Sequence, residues 1–338
     1  TIFAALCGSS PATAAAIGRI SISQMTQRGY DQGFATGVVA AGGTLGIMIP
    51  PSITLVVYGI ITENSIVKLF MAGIGPGLLL AVLLCIFIVL RVRIDPALVG
   101  GSAASQADAQ MDMAAIKETT LLQDLKLVLP PILLIILVLG SLYTGITTPS
   151  ESAGVGAIGA LLVIIFLGRC SFGFMKRIMA ASARTSCMIL FLIFGGMSLT
   201  YVVSFLGVAQ EVANAIVGSG LNKWVILALI YVMWFILGCL MDPMSMVVLT
   251  IPFIYPTMLA LGFDPIWLGI VSTLTVEIGM ITPPVGLNLF VLRAITGIPM
   301  NTIMRGTLPF VMVLVAALLI VTVFPSIALF LPNLQAGK

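Results

Sequence analysis

Hydroxyl and amide side chains gather at four places where proline interrupts an apolar run. They are Ser9, Ser10 and Thr13 around Pro11; Thr44 and Ser52 around Pro50 and Pro51; Ser245 beside Pro243; and Thr282 and Asn288 around Pro283 and Pro284. Proline has no N–H and ends a helix at or before it, so each interruption frees backbone carbonyls. Hydroxyl, amide and carbonyl oxygens suit a hard monovalent cation. The half-helix N-termini that come after the prolines turn partial positive charge toward an anion. Two pairs of breaks therefore suggest two Na+ sites, or more, flanking one anion site. The cation candidates are Gly8, Ser9, Ser10, Pro11, Thr13, Gly46 and Pro50 in the first pair, and Asp242, Pro243, Ser245, Gly279, Thr282, Pro283 and Gly286 in the second. The anion candidates are Ser10, Thr13, Ser52, Thr282 and Asn288.

Acids are scarce. Asp242 and Glu277 are the two that fall at membrane depth, each at or beside a break, and a carboxylate there is expensive enough to call for a function. Asp242, just before Pro243, is expected to charge a cation site or to fix the loop through hydrogen bonds; Glu277 is a candidate functional acid. Glu151 reads as a surface-loop acid. The 338 residues include no His, and the five Cys show no CxxC spacing, so neither a Ser/His/Asp nucleophile nor a zinc site is available and no enzyme activity is expected. Cys7, Cys85, Cys170, Cys187 and Cys239 read as small packing residues.

The elements that must position these groups lie in lipid. Apolar residues make up 60% of the chain and charged ones 8%, against about 25% charged in a soluble domain. A span needs roughly 20 apolar residues. Uninterrupted candidates are 70–90, 127–150, 152–168, 185–210 and 306–331; interrupted ones are 33–61, 224–262 and 266–292. Residues 91–126 read as a polar linker. Arg169, Lys176, Arg177 and Arg184 share one face of an amphipathic interfacial helix at 169–185. The chain opens inside an apolar run without Met, so preceding helices are expected to be missing.

Lys and Arg collect on the cytoplasmic side. Two spans separate the linker, with Arg91, Arg93, Lys117 and Lys126, from the basic helix, so both belong inside. Counting outwards puts Arg19, Arg28, Arg293 and Arg305 inside, and Glu63, Glu211 and the C-terminus outside; Lys68, Lys223 and Lys338 dissent. The breaks also repeat. At an offset of 233, Gly46, Pro50, Pro51, Met71, Gly73 and Pro76 fall on Gly279, Pro283, Pro284, Met304, Gly306 and Pro309. At an offset of 232, Pro11 and Thr13 fall on Pro243 and Ser245. Five changes of side separate the copies, so the second is inverted, an arrangement of secondary transporters. The fold expected is an all-α polytopic membrane protein with inverted repeats. The first repeat is 1–90, with a re-entrant hairpin tip at 8–13, a broken helix at 33–61 and a helix at 70–90. Residues 127–210 form scaffold spans. The second repeat is 224–331, with a re-entrant hairpin at 224–262, a broken helix at 266–292 and a helix at 306–331.

GSSPATAAAIG, AAGGTLGIMIPPS, ENSIVKLFMAGIGPG and EIGMITPPVGLN together resemble the large membrane subunit of tripartite ATP-independent periplasmic (TRAP) transporters, along essentially the whole chain. The resemblance implies an elevator-type, sodium-driven importer of carboxylates such as C4-dicarboxylates or sialic acid in the bacterial inner membrane. It further implies a small four-helix membrane subunit and a periplasmic substrate-binding protein as partners, and identifies GSSPAT and DPMS with the family's two hairpin tips. A stand-alone ion-coupled anion transporter or proton antiporter of the same fold stays open from the residues, as do a channel and a membrane-embedded hydrolase.

Overall fold

A computed structural model describes residues 8–100, 121–166 and 171–336. The described residues form fourteen α-helices and no strand. In chain order these are α1 (Ser10–Gln27), α2 (Gln32–Met48), α3 (Ile53–Thr62), α4 (Ile66–Ile94), α5 (Leu121–Tyr143), α6 (Pro149–Phe166), α7 (Phe172–Phe205), α8 (Val208–Gly218), α9 (Lys223–Leu240), α10 (Pro243–Ala260), α11 (Pro265–Met280), α12 (Leu287–Thr296), α13 (Met300–Val323) and α14 (Ser326–Ala336). Among the described residues, seven stretches are long and apolar enough to cross a membrane, the first of them running through the break from Gln32 to Thr62. The described residues are those of an all-helical, multi-pass membrane protein.

Side-chain caps set several helix starts. Asp31 Oδ1 accepts from Phe34 N at 2.7 Å, Asn222 Oδ1 from Trp224 N at 2.9 Å, and Asp264 Oδ1 from Ile266 N at 2.8 Å and Trp267 N at 3.0 Å. Each satisfies donors that a helix start leaves without partners. Thr148 and Glu151 cap reciprocally, Thr148 N to Glu151 Oε2 at 2.8 Å and Glu151 N to Thr148 Oγ1 at 3.3 Å, so Glu151 is a capping-box residue in the first turn of α6.

The chain divides into two compact units, Thr1–Gly101 with Leu192–Lys338, and Ser102–Phe191. In the smaller unit α5 and α6 pack antiparallel, with Ser152 Oγ donating to Val138 O at 2.8 Å and Gly159 against Leu134.

In the larger unit the helix directions are set by contacts. Gly33 lies against Thr302 and Gly306, and Gly37 against Gly306 and Phe310, so α2 and α13 run parallel. Trp267 Nε1 donates to Val321 O at 3.0 Å, which places the start of α11 at the end of α13. α11 therefore runs opposite to both α13 and α2. Partners are exchanged as well: α1 packs on α12, and α10 packs on α3. One end of this unit gathers Asp31, Arg91, Leu98 and Arg305 around a shared cavity, and Asp31 N donates to Leu98 O at 3.0 Å. At the opposite end Tyr58 Oη donates to Pro265 O at 2.7 Å and Asn64 Nδ2 to Tyr255 Oη at 2.9 Å.

The structure corrects four expectations about the elements. The segment 306–331 is not one span: α13 stops at Val323 and α14 starts at Ser326. Pro325 has no donor and disfavours helical geometry at Phe324, which sits at φ −119, ψ 75. Residues 172–185 are not a separate interfacial helix but the first turns of α7, which continues to Phe205 with no proline to interrupt it; Arg169 lies outside the described residues. Residues 127–150 end as helix at Tyr143, and residues 144–148 form the turn before α6. The linker at 91–126 begins later than expected, because α4 runs to Ile94 and a 3-10 turn occupies Pro96–Val99, and it ends earlier, because α5 starts at Leu121. Residues 101–120 lie outside the described residues. Cys85, Cys187 and Cys239 are free thiols, and Cys7 and Cys170 lie outside the described residues.

Candidate functional site

The site is built where helices stop. α2 ends at Met48 and passes through extended Ile49 into Pro50–Pro51; α11 ends at Met280 and passes through Ile281 and Thr282 into Pro283–Pro284. Both Pro–Pro peptide bonds are cis. A proline pair alone does not break a helix in this chain, since Pro130 and Pro131 lie inside continuous α5.

The first two breaks touch. Gly8 is in the left-handed region at φ +58, and a Cβ there would come within 2.6 Å of Pro51 O. Ser9 is extended, and its carbonyl accepts from Thr13 Oγ1 at 2.9 Å and from Thr13 N at 3.0 Å. Ser52 caps α3 by accepting from Leu55 N at 3.4 Å. Ser10, Thr13, Thr44, Gly46, Pro50 and Ser52 are all buried.

The other two breaks also meet. Gly286 N donates to Cys239 O at 3.0 Å, and Gly279 packs on the backbone of Gly238 and Cys239. Gly286 has φ +60, and a Cβ would meet Thr282 O at 2.8 Å. Thr282 Oγ1 donates back to Ile278 O at 2.5 Å. Asp242 is the N-cap of α10: its Oδ2 accepts from Met244 N and Ser245 N at 3.1 Å each, and its Oδ1 accepts from Ser245 Oγ. Of the two roles expected for Asp242, the structure displays loop fixing.

A bond across the pairs completes the site. Asn288 Nδ2 donates to Ser10 Oγ at 2.5 Å, joining the first turn of α12 to the first residue of α1. Both residues are fully buried. Glu277, 1% exposed, lies beside Ser10, whose hydroxyl is the side-chain hydrogen-bonding group at its carboxylate; Asn288 Oδ1 has no hydrogen-bond partner. A fully buried carboxylate with so few donors around it is short of compensating positive charge.

Electrostatics separates the four helix starts. Asp242 neutralises the positive end of α10 and Ser52 caps α3, whereas Ser9 and Gly286 give no side-chain cap to α1 and α12. The two uncapped positive ends are the two that the Ser10–Asn288 bond holds together. Among the described residues no three His, Cys, Asp or Glu side chains converge as a metal-binding group. Hydroxyls, amides, carbonyls and one carboxylate are what the breaks offer, a donor set that fits Na+.

The tertiary contacts link Gly8 with Pro51, and Ser10 with Asn288 and Glu277, while Cys239 links the end of α9 with Gly286. They do not link the Asp242 carboxylate to another break, since its bonds stay within the first turn of α10. Pro284 is exposed and Pro283 half-buried, unlike buried Pro50. Sequence reasoning missed the Cys239 carbonyl as a junction partner. No side-chain signal could have found it, because the group is backbone.

Residues 1–327 match the family model for the DctM component of tripartite ATP-independent periplasmic transporters. The C4-dicarboxylate TRAP transporter large permease protein DctM of Pseudomonas aeruginosa is 40% identical over 335 residues, covering 98% of this chain and 75% of that protein. The isethionate TRAP transporter permease protein DctMQ of Oleidesulfovibrio alaskensis is 35% identical over 97% of this chain and 50% of its own length. The sialic acid TRAP transporter large permease protein SiaM of Vibrio cholerae is 30% identical over 99% of this chain and 76% of its own.

Proposed function

Because this chain belongs to the DctM component family of tripartite ATP-independent periplasmic transporters, we propose that it imports a small organic anion, of the C4-dicarboxylate or sialic acid class, in symport with two or more Na+. The observation that carries this reading is the convergence of two uncapped helix N-termini on the Ser10–Asn288 bond. The substrate carboxylate docks there, against partial positive charge. One Na+ sits among the oxygens of Gly8, Ser9, Ser10, Pro11, Thr13, Gly46 and Pro50, the other among those of Asp242, Pro243, Ser245, Gly279, Thr282, Pro283 and Gly286. Ser52 and Thr282 line the anion side, and Glu277 offers its buried carboxylate to a cation.

Residues 1–90 and 224–331 act as inverted repeats, the breaks before α1 and α10 being the tips of re-entrant hairpins. Opposed α2 and α11, and the exchanged partnering of α1 with α12 and α3 with α10, support that reading. Na+ orders the breaks, the anion docks, and the loaded hairpin domain moves as an elevator against the scaffold. Each Na+ entering contributes about 2.3 kcal/mol per 100 mV of membrane potential. The partners are a small four-helix membrane subunit and a periplasmic binding protein; the relative called DctMQ supports the first. The setting is the bacterial inner membrane, with the Arg19, Arg91 and Arg305 end cytoplasmic and the C-terminus periplasmic.

The test is uptake of candidate acids into proteoliposomes holding the large and small subunits, with the binding protein added. Uptake that needs an inward Na+ gradient supports the proposal. Uptake driven by a proton gradient alone would sink the sodium assignment, and uptake without the binding protein would favour a stand-alone carrier.

A further inference from the structure

Arg91, in the last turns of α4, and Arg305, in the second turn of α13, line a cavity of about 270 Å³ with Asp31, Thr302 and Leu98. Its floor is aromatic. The Phe87 ring meets the Phe310 ring edge-on at 5.0 Å between centroids, and Phe34 lies 6.3 Å from Phe310. Two guanidinium groups face one carboxylate here, and that carboxylate already caps α2 through Phe34 N at 2.7 Å. The cavity therefore carries a surplus of positive charge.

Beyond Arg305, its helix presents an apolar face that is exposed among the described residues. Leu308 and Met312, three and seven residues on, share the face of Arg305 and are 55% and 66% exposed. A charged rim, an aromatic floor and an apolar exposed track occur in the order in which a phospholipid presents phosphate, glycerol esters and acyl chain. A guanidinium pairs with phosphate through parallel N–H donors, and basic pockets between transmembrane helices on the cytoplasmic side suit anionic headgroups. We propose that this cavity is a binding site for an anionic phospholipid, the phosphodiester held by Arg91 and Arg305 and one acyl chain lying along Leu308 and Met312. The site is separate from the Ser10–Asn288 junction and does not depend on which substrate or coupling ion the protein uses.

The probe is dioleoyl phosphatidylglycerol, compared with dioleoyl phosphatidylcholine, titrated into the detergent-purified protein and read by native mass spectrometry and thermal shift. The wild-type protein should retain phosphatidylglycerol selectively and gain thermal stability from it. Arg91→Gln with Arg305→Gln should weaken that retention roughly thirty-fold, from about 1 kcal/mol per arginine, whereas Arg293→Gln, outside the cavity, should leave it unchanged. Equal retention of the two lipids by wild-type protein would overturn the proposal. So would the same thermal shift from inorganic phosphate alone, or equal losses in the cavity and Arg293 variants. If the double variant does not fold, the wild-type comparison decides, with Met312→Gln as the variant that should lose retention while both arginines remain.

Discussion

Asn288 donates its side-chain N–H to Ser10 Oγ at 2.5 Å across 278 residues of sequence, and both side chains are fully buried. Replacing Asn288 with Ala leaves a buried hydroxyl without that donor, at a cost of about 1–3 kcal/mol. Substrate uptake should fall with it, because the bond aligns the two uncapped helix ends. A double-mutant cycle of Ser10→Ala with Asn288→Ala, read by thermal unfolding in detergent, should show a coupling of about 0.5–3 kcal/mol. Additive effects would mean that the two side chains act independently.

Gly286 sits at φ +60 with its Cα hydrogen toward Thr282 O. Gly286→Ala should destabilise by about 1–3 kcal/mol, since the left-handed backbone is strained for a side chain and a Cβ would crowd that carbonyl. The melting temperature checks this. Gly262→Ala is the control: it has φ +82 with open space around it, so it should lose only the backbone part.

Asp242 caps α10 with both carboxylate oxygens engaged. Asp242→Asn keeps an acceptor for the backbone donors and loses the charge that complements the helix end, so stability should drop by about 0.3–1 kcal/mol. Asp242→Ala should cost more, about 0.5–2 kcal/mol. If the carboxylate also serves a cation, the Asn variant will need more Na+ for half-maximal uptake; an unchanged Na+ requirement would confine Asp242 to capping.

Glu277 is 1% exposed, with the Ser10 hydroxyl beside its carboxylate. Glu277→Gln is nearly isosteric and removes any need for a counter-charge, so the fold should be retained or gain stability. Uptake by this variant should need several-fold more Na+ if the carboxylate helps to hold a coupling ion. Measuring initial uptake rates against Na+ concentration decides it.

The lipid setting, most of the spans and the positions of the breaks at Pro50, Pro243 and Pro283 were legible because each depends on local composition or on a missing backbone donor. The same local logic failed where context decides. Pro325 ends α13 within a run that reads as one span, while Pro130 and Pro131 leave α5 unbroken. The basic residues Lys176, Arg177 and Arg184 suggested an interfacial helix, yet they ride on the start of α7. Charge periodicity marks a polar face but not where a helix ends.

By itself the sequence determined that this chain lives in lipid, that its helices break at repeated proline positions, and that Asp242 and Glu277 stand out in a nearly uncharged interior. Only the tertiary structure decided which broken ends meet: Gly8 on Pro51, Gly286 N on Cys239 O, and Asn288 on Ser10, with Glu277 beside them. The physical reason is that composition and helix propensity act over a few residues. A carbonyl or hydroxyl freed at a break has no sequence-encoded partner until packing brings another broken helix within hydrogen-bond reach.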